Sequence, residues 1–391
     1  MEDRNYEKHL SLELAALKKQ GLQRRLRIVE KRQGTLLCID GHHVIDFSSN
    51  DYLGLSQHPA LREAALVATR SFGLGATASR LIGGTTQEHF LLEEELASTK
   101  KKEAALLFST GYAAATGAIP VLMKRGDVIL LDKLAHASLI DGARTSEATL
   151  RIFRHNDMNH LEDHLKWAHQ KFPQGRIMIV TESIFSMDGD LAPLHKIVEL
   201  KERYDALLFL DEAHAVGVRG KEHQYLGGLA GELNLNHHVD IHMGTLGKAL
   251  GVSGGYLCGS RILIDYLIHR ARSFIYSTAP SPSIVGAARA ALKIVSSLEG
   301  EERHLRLWHN IGQLTQQLNL SESPSAIMPL MIGHEEKALT ISQELFESGY
   351  FIPAMRYPTV ARGKARLRLT ASANHTSEQI TGLAHIFASS N

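Results

Sequence analysis

Between residues 104 and 258, six short apolar runs recur at intervals, and this rhythm constrains the chain more than any other feature. The runs are Ala104–Phe108, Val128–Leu131, Ile177–Thr181, Leu207–Leu210, Val239–Met243 and Gly255–Cys258. Runs this short and this continuously apolar predict strands buried on both faces. Longer amphipathic stretches separate most of them, such as Leu194–Arg203 with its charged outer face. The alternation predicts an α/β fold with a central, mostly parallel sheet covered by helices. In such sheets ligands sit at the carboxyl ends of the strands, so the residues just after each run carry the functional question.

The chain has 391 residues, enough for one large α/β domain and a smaller companion. Residues 1–47 read as an N-terminal segment. It holds an amphipathic helix over Tyr6–Gln23, with Leu10, Leu14, Leu17 and Leu22 on one face, and a hairpin over Thr35–Phe47 that turns at Asp40-Gly41. Residues 48–282 form the large domain. Pro280 and Pro282 punctuate the chain. A helix over Ile284–Ser297, then a helix–strand–helix–strand order, makes 283–391 a small α+β domain.

Net charge is +1, so no overall field draws the protein to nucleic acid or an anionic membrane. No run of about 18 apolar residues predicts a membrane span. The polar start, Met1 to Leu10, lacks the apolar stretch of a signal peptide, and the cytoplasm is the expected location. Cys38 and Cys258 are too few for a disulfide framework or a thiolate zinc site. His237, His238 and His242 crowd together without carboxylates at ligand spacing, and no metal site is expected.

Five strand ends and one late strand carry candidate chemistry. Gly244-Thr245-Leu246-Gly247-Lys248 places a lysine in a turn of small residues, where it can reach a carbonyl and form an imine. A surface lysine in a glycine-rich turn has the same letters. Asp211-Glu212-Ala213-His214 follows an apolar run, and a carboxylate there can hold a pyridine nitrogen protonated. Those letters also spell a helicase box, but the phosphate loop such an enzyme needs is missing: Gly244 stands too close to Gly247, and Ala249 replaces the hydroxyl residue. Ser109-Thr110-Gly111-Tyr112 marks a strand running into a helix, where exposed N–H groups suit a phosphate as well as they suit a simple N-cap. Asp132 to Ser138 offers His136 for stacking on a planar ligand. Thr181 to Asp190 is a polar loop that can present Glu182 and Ser186. In Ala365-Arg366-Leu367-Arg368-Leu369-Thr370 the period of two puts Arg366 and Arg368 on one face, either exposed or able to clamp a carboxylate.

Together these segments resemble the α-oxoamine synthase family, a branch of the fold-type-I transferases that use pyridoxal 5′-phosphate (PLP) and share the aspartate-aminotransferase-like fold. The match runs nearly the whole chain. It includes Phe47 to Leu55, Asp132 to Gly142, Glu182 to Leu194, Asp211 to Gly217, Gly244 to Lys248 and Ile275 to Thr278. Ser325 to Leu330, Arg356 to Val360 and Arg366 to Thr370 look most like the branch that joins L-alanine to a pimeloyl thioester in biotin synthesis. They look less like the branches using glycine or serine.

The resemblance implies roles. Lys248 is the Schiff-base lysine and proton shuttle, Asp211 the partner of the pyridine nitrogen, and His214 the contact to the phenolic oxygen. His136 stacks on the ring, Ser186 adds a cofactor contact, and Glu182 is a polar neighbour. Gly111, Tyr112 and Thr245 form the phosphate site. Arg368 binds the amino-acid carboxylate, and Arg24 and Thr359 contact substrate. The resemblance further implies a homodimer in which Thr278 reaches the neighbour's phosphate. The basic cluster from Lys18 to Arg32 would meet coenzyme A or an acidic acyl-carrier protein, or would simply be solvated. Ala76-Thr77-Ala78 and Ala115 depart from the family pattern and bear on acyl recognition. Two alternatives stay open: a sister enzyme using glycine and a shorter acyl-CoA, and a non-catalytic subunit, which is expected to lack the lysine.

Overall fold

The computed structural model describes residues 5–389. Three strands follow the first helix, β1 (Val29–Gln33), β2 (Leu36–Ile39) and β3 (His42–Asp46). β2 and β3 form the expected hairpin, with Asp40 and Gly41 both at positive φ in its turn. The central sheet takes β4 (Ala104–Phe108), β5 (Val128–Asp132), β6 (Thr149–Phe153), β7 (Ile177–Glu182), β8 (Leu207–Asp211), β9 (Ile241–Thr245) and β10 (Gly255–Gly259). Its order is β4-β10-β9-β8-β7-β5-β6. β10 alone runs against its neighbours; β9, β8, β7, β5 and β6 pair in parallel.

Every residue of β4, β5, β7 and β10 is buried. That explains their unbroken apolar letters: helices cover both faces of the sheet. The two faces pack as separate clusters. One gathers Val128, Leu130, Ile179, Leu208 and Leu210, the other Ile129, Leu131, Met178, Val180 and Phe209. The alternation follows from the strand's period of two.

The C-terminal part begins with the long helix Pro282–Val295, whose first turn accepts the proline, and continues with a helix over Leu298–Gln317. β11 (Ile327–Gly333), β13 (Ala354–Met355) and β14 (Ala365–Thr370) make a small antiparallel sheet in the order β11-β14-β13. β12 (Tyr350–Phe351) instead pairs in parallel with β3, joining late residues to the opening hairpin. The first helix spans Asn5–Lys19 and ends before Gly21, which takes a φ of 66°. None of its residues is buried. No helix among the described residues is long and apolar enough to cross a membrane.

Candidate active site

β4, β5, β7, β8 and β9 all end at one edge of the sheet, so their following residues converge. From β8 come Asp211 and His214; from β9 come Thr245 and Lys248. Lys248 Nζ lies 2.7 Å from His214 Nε2. His214 is buried, and its Nδ1 lies 2.6 Å from the hydroxyl of Tyr52. Asp211 is buried and accepts a hydrogen bond from the N–H of Ala213 at 2.8 Å.

Electrostatics single out the same group. Burial lowers the Lys248 ammonium to a pKa of about 8, although the carboxylates of Asp211 and Glu182 pull the other way. A lysine so shifted is partly free amine near neutral pH, the state that attacks a carbonyl. Burial pushes Asp211 up, opposed by Lys248 and the Ala213 N–H. Glu182 rises well above the carboxylate range because it is buried and faces Asp211. Burial, then Lys248, Arg368 and His136, hold His214 far below its ordinary value, so it is neutral.

His136 follows β5 and keeps its ring exposed. Its Nδ1 takes the N–H of Ser138 at 3.2 Å and faces the Ser138 hydroxyl at 2.8 Å. Nδ1 is therefore the bare nitrogen, and the ring is fixed at the start of the helix Ala137–Thr145. Desolvation lowers its pKa, with Asp211 and Lys248 acting in opposite senses.

Gly111 opens the helix Gly111–Leu122, capped by Thr110, whose hydroxyl accepts from Ala113 N at 3.0 Å. Backbone crowds it: a Cβ on Gly255 of β10 would stand 2.5 Å from Gly111 N. Thr245 sits close by, since a Cβ on Gly111 would lie 3.7 Å from the Thr245 Cβ. Tyr112 is half-exposed and bonds to Asp141.

Arg366 and Arg368 are both buried, which removes the exposed-face alternative. Arg368 Nε donates to the Ser186 carbonyl at 2.7 Å and its Nη2 to Asn50 Oδ1 at 3.1 Å. Arg366 pairs with Asp188 at 2.6 Å. The two arginines thus hold the loop after β7 against β14.

Arg24 and Thr359 lie elsewhere, together lining a cavity of about 580 Å³ with Arg25, Arg27, Phe351 and Arg356. Pro353 also lines it, and the Pro353 carbonyl accepts the Arg368 backbone N–H at 3.2 Å, so cavity and clamp share one backbone contact. Part of the basic cluster is spoken for internally: Arg25 pairs with Asp40, Arg32 with Asp46, and Arg27 stacks over Phe346. Thr278 is exposed and bridges to Ser79. Ala115 is buried under Gly142 rather than facing this cluster.

Sequence reasoning misses several features. Asn50 and Tyr52 lie inside a recognisable motif that assigns them no role. Lys100, fully buried, pairs with Glu212. His155 bridges Asp132 and Asp190. Neither bonded partner in these pairs is near the other in sequence, so no local pattern marks them. Glu222, His223 and Glu301 also meet at the surface within reach of one ion, two exposed side chains and one half-buried, a grouping that the histidine spacing does not reveal.

Residues 42–387 match the family model of aminotransferase class I and II. The chain belongs to that family. Among curated relatives, the 8-amino-7-oxononanoate synthase of Geobacter sulfurreducens is 44% identical, covering 93% of each chain. That of Thermoanaerobacter pseudethanolicus is 43% identical over 94% of this chain and 92% of its own. Among solved structures, serine palmitoyltransferase from S. paucimobilis with bound PLP–myriocin aldimine has a TM-score of 0.91 at 27% identity, covering 99% of this chain and 98% of that one. The 8-amino-7-oxononanoate synthase of Francisella tularensis has a TM-score of 0.74 at 30% identity, covering 89% and 97%. The motif resemblance and the fold-type-I expectation are thereby borne out.

The site fits PLP on its own chemistry. It offers an amine with a depressed pKa, a buried carboxylate for a ring nitrogen, an exposed imidazole face, and a helix N-terminus for a phosphate. Glu182 Oε1 is buried without a partner among the described residues, as expected of a polar wall facing a bound group.

Proposed function

We propose that this chain is an 8-amino-7-oxononanoate synthase, joining L-alanine to a pimeloyl thioester with loss of CO2 and free thiol, within biotin synthesis. The carrying observation is the Lys248–His214–Asp211 cluster in a chain 40–44% identical to synthases of that name over nearly its full length.

PLP supplies an aldehyde that captures amines and a protonated ring that takes up the electron pair left when H⁺ or CO2 departs. Lys248 holds the cofactor and, once its amine is free, takes and returns the α-proton. Asp211 keeps the ring nitrogen protonated; a cation beside it offsets the burial that raises its own pKa. With PLP bound, His136 would stack on the ring, His214 would meet its phenolic oxygen, and Ser186 and Glu182 would line its sides. Gly111, Tyr112 and Thr245 take the phosphate, the helix N-terminus offering unpaired N–H groups. Arg368 grips the alanine carboxylate, its plane fixed by Ser186 O and Asn50.

The arginine-lined cavity at Arg24 and Thr359 receives the acyl donor, whose far carboxylate and thioester phosphates are both anionic. The donor is a coenzyme A or an acyl-carrier-protein thioester. A homodimer completes the reading. The helix Asn5–Lys19 leaves Leu10, Leu14 and Leu17 exposed on one face and Leu12 exposed on another, apolar surface that a partner subunit would cover. Thr278, exposed, would reach the phosphate held by the partner subunit.

Overall shape favours a second reading, since the serine palmitoyltransferase superposes at the higher TM-score. Shape reports the family, while substrate choice rests on side chains. One experiment separates them. PLP-loaded protein is offered alanine, glycine and serine in competition, each with pimeloyl-CoA, acetyl-CoA or palmitoyl-CoA, and products are read by mass spectrometry. The alanine–pimeloyl product should dominate; a serine–palmitoyl product would replace the assignment.

A further inference from the structure

A buried chain of polar groups links the carboxylate clamp to the amine. Arg368 Nη2 approaches Asn50 Oδ1 at 3.1 Å. Asn50 Oδ1 meets the Tyr52 hydroxyl at 3.0 Å, Tyr52 meets His214 Nδ1 at 2.6 Å, and His214 Nε2 meets Lys248 Nζ at 2.7 Å. Tyr52 is 1% exposed and His214 5%, so water does not compete for the bond between them, while the bonds at Asn50 and Lys248 are half-buried.

The polarity of this chain is decided at its arginine end. A guanidinium only donates, so the Asn50 atom facing it is the oxygen. An amide oxygen only accepts, so the Tyr52 proton points to Asn50. The phenolic oxygen can then only accept from His214, which places the imidazole proton on Nδ1. Were the phenol to donate to His214 instead, two acceptor oxygens would face each other at 3.0 Å. Burial keeps Tyr52 a phenol, and burial together with the nearby cations Lys248 and Arg368 keeps His214 neutral, so one ring proton is available and its place matters.

We propose that Arg368, Asn50 and Tyr52 set the tautomer of His214 so that its Nε2 lone pair faces Lys248, leaving the lysine's own lone pair free to attack. In this tautomer Nε2 accepts an N–H from the amine. In the other, Nε2–H donates to the amine and occupies the electron pair that forms the new bond. Asn50 and Tyr52 are positioning residues that act through His214. The inference concerns the chain before cofactor capture, and it rests on the reading of Lys248 as the imine-forming lysine.

Two readouts test it on the cofactor-free protein. The first is nitrogen NMR of histidine-labelled chain, with His214 assigned by its loss in His214→Gln. The second is the rate at which the imine absorbance appears on adding PLP, above the Lys248 pKa of about 8. Wild type should carry its proton on Nδ1. Asn50→Ala frees the phenolic proton to turn towards Nδ1. Tyr52→Phe removes the acceptor that Nδ1–H needs. Both should move the proton to Nε2 and slow imine formation about tenfold, the worth of one hydrogen bond. Asn50→Asp keeps an acceptor-only oxygen, so it should retain the Nδ1 proton and recover most of the rate. An Nε2 proton in wild type, an unmoved proton in Tyr52→Phe, or a moved proton with an unchanged rate each overturns the proposal. Failure of Lys248 itself to form the imine would instead overturn the functional reading, and that is seen separately in Lys248→Ala.

Discussion

Lys100 Nζ and Glu212 Oε2 stand 2.7 Å apart with neither side chain exposed. The ion pair is fully satisfied: Lys100 also donates to the Gly227 carbonyl at 3.0 Å, and Glu212 takes the Ala230 N–H at 3.0 Å and faces His242 Nδ1 at 3.0 Å. Glu212 directly follows Asp211, and its backbone N–H bonds to Met243 O of β9. The buried pair therefore fixes the turn that carries Asp211 and His214.

Removing one partner strands a buried charge. Lys100→Met should cost about 3–5 kcal/mol in urea unfolding, and adding Glu212→Gln should restore part of it. Burial raises the Glu212 pKa, but Lys100 and His242 outweigh it and bring it down to about 2 from 4.5. A depressed carboxylate stabilises above its unfolded pKa and loses that contribution as pH falls. Wild-type stability should thus decline between pH 4.5 and 2 more steeply than that of the double variant. Equal slopes would show that the pair carries no linkage.

The Lys248 pKa makes a kinetic prediction. The rate of imine formation by the cofactor-free protein should climb with pH and level off above about 8. A free lysine would keep climbing to about 10.4. Stopped-flow absorbance at several pH values decides between the two.

Sequence reveals most of the sheet and most of the cluster because both obey local rules. Strands buried on both faces are apolar without interruption, and a charged residue just past such a run is conspicuous, as Asp211 and Lys248 are. β6 escapes because it is an edge strand: Thr149-Leu150-Arg151-Ile152-Phe153 buries only Phe153. The apolar run Val239–Met243 starts two residues ahead of β9, since a short turn over Asn236–His238 precedes the strand. The helix pattern at Tyr6–Gln23 is real in its period over Asn5–Lys19, yet none of the residues of that helix is buried. Tyr52–His214 and Asn50–Arg368 join residues 162 and 318 positions apart, and no local pattern signals such pairings.

His155 titrates as a clamp. Its Nδ1 lies 2.9 Å from Asp132 and its Nε2 2.8 Å from Asp190, joining the loop before His136 to the loop of Ser186. Burial lowers its pKa, but the hydrogen bonds and charges of the two aspartates outweigh this and push it up to about 10 from 6.5. A raised histidine stabilises fully below its unfolded pKa and loses that contribution as pH rises through the folded one. The melting temperature of wild type should therefore fall between pH 6.5 and 10. His155→Gln should flatten that fall and, by loosening the Ser186 carbonyl that holds Arg368, raise KM for alanine more than it lowers kcat. A parallel decline of both proteins would remove His155 from this role.

Gly255 tests the phosphate cradle without touching a polar side chain. A Cβ there would lie 2.5 Å from Gly111 N and 2.5 Å from Thr110 C and O, all backbone atoms that cannot swing aside. Gly255→Ala must push β10 and the start of the Gly111 helix apart, misaligning the N–H groups offered to a phosphate. PLP affinity should drop by at least tenfold, about 1.4 kcal/mol. Pyridoxal, which lacks the phosphate, should lose far less. Gly312 provides the contrast: it lies in the helix Leu298–Gln317, and nothing beyond that helix comes within 4 Å of where its Cβ would stand. Gly312→Ala should stabilise the protein by about 0.5–1 kcal/mol through helix propensity and leave PLP affinity alone. If Gly255→Ala weakened PLP and pyridoxal equally, the strain would lie in the sheet at large and the cradle would not be set by this contact.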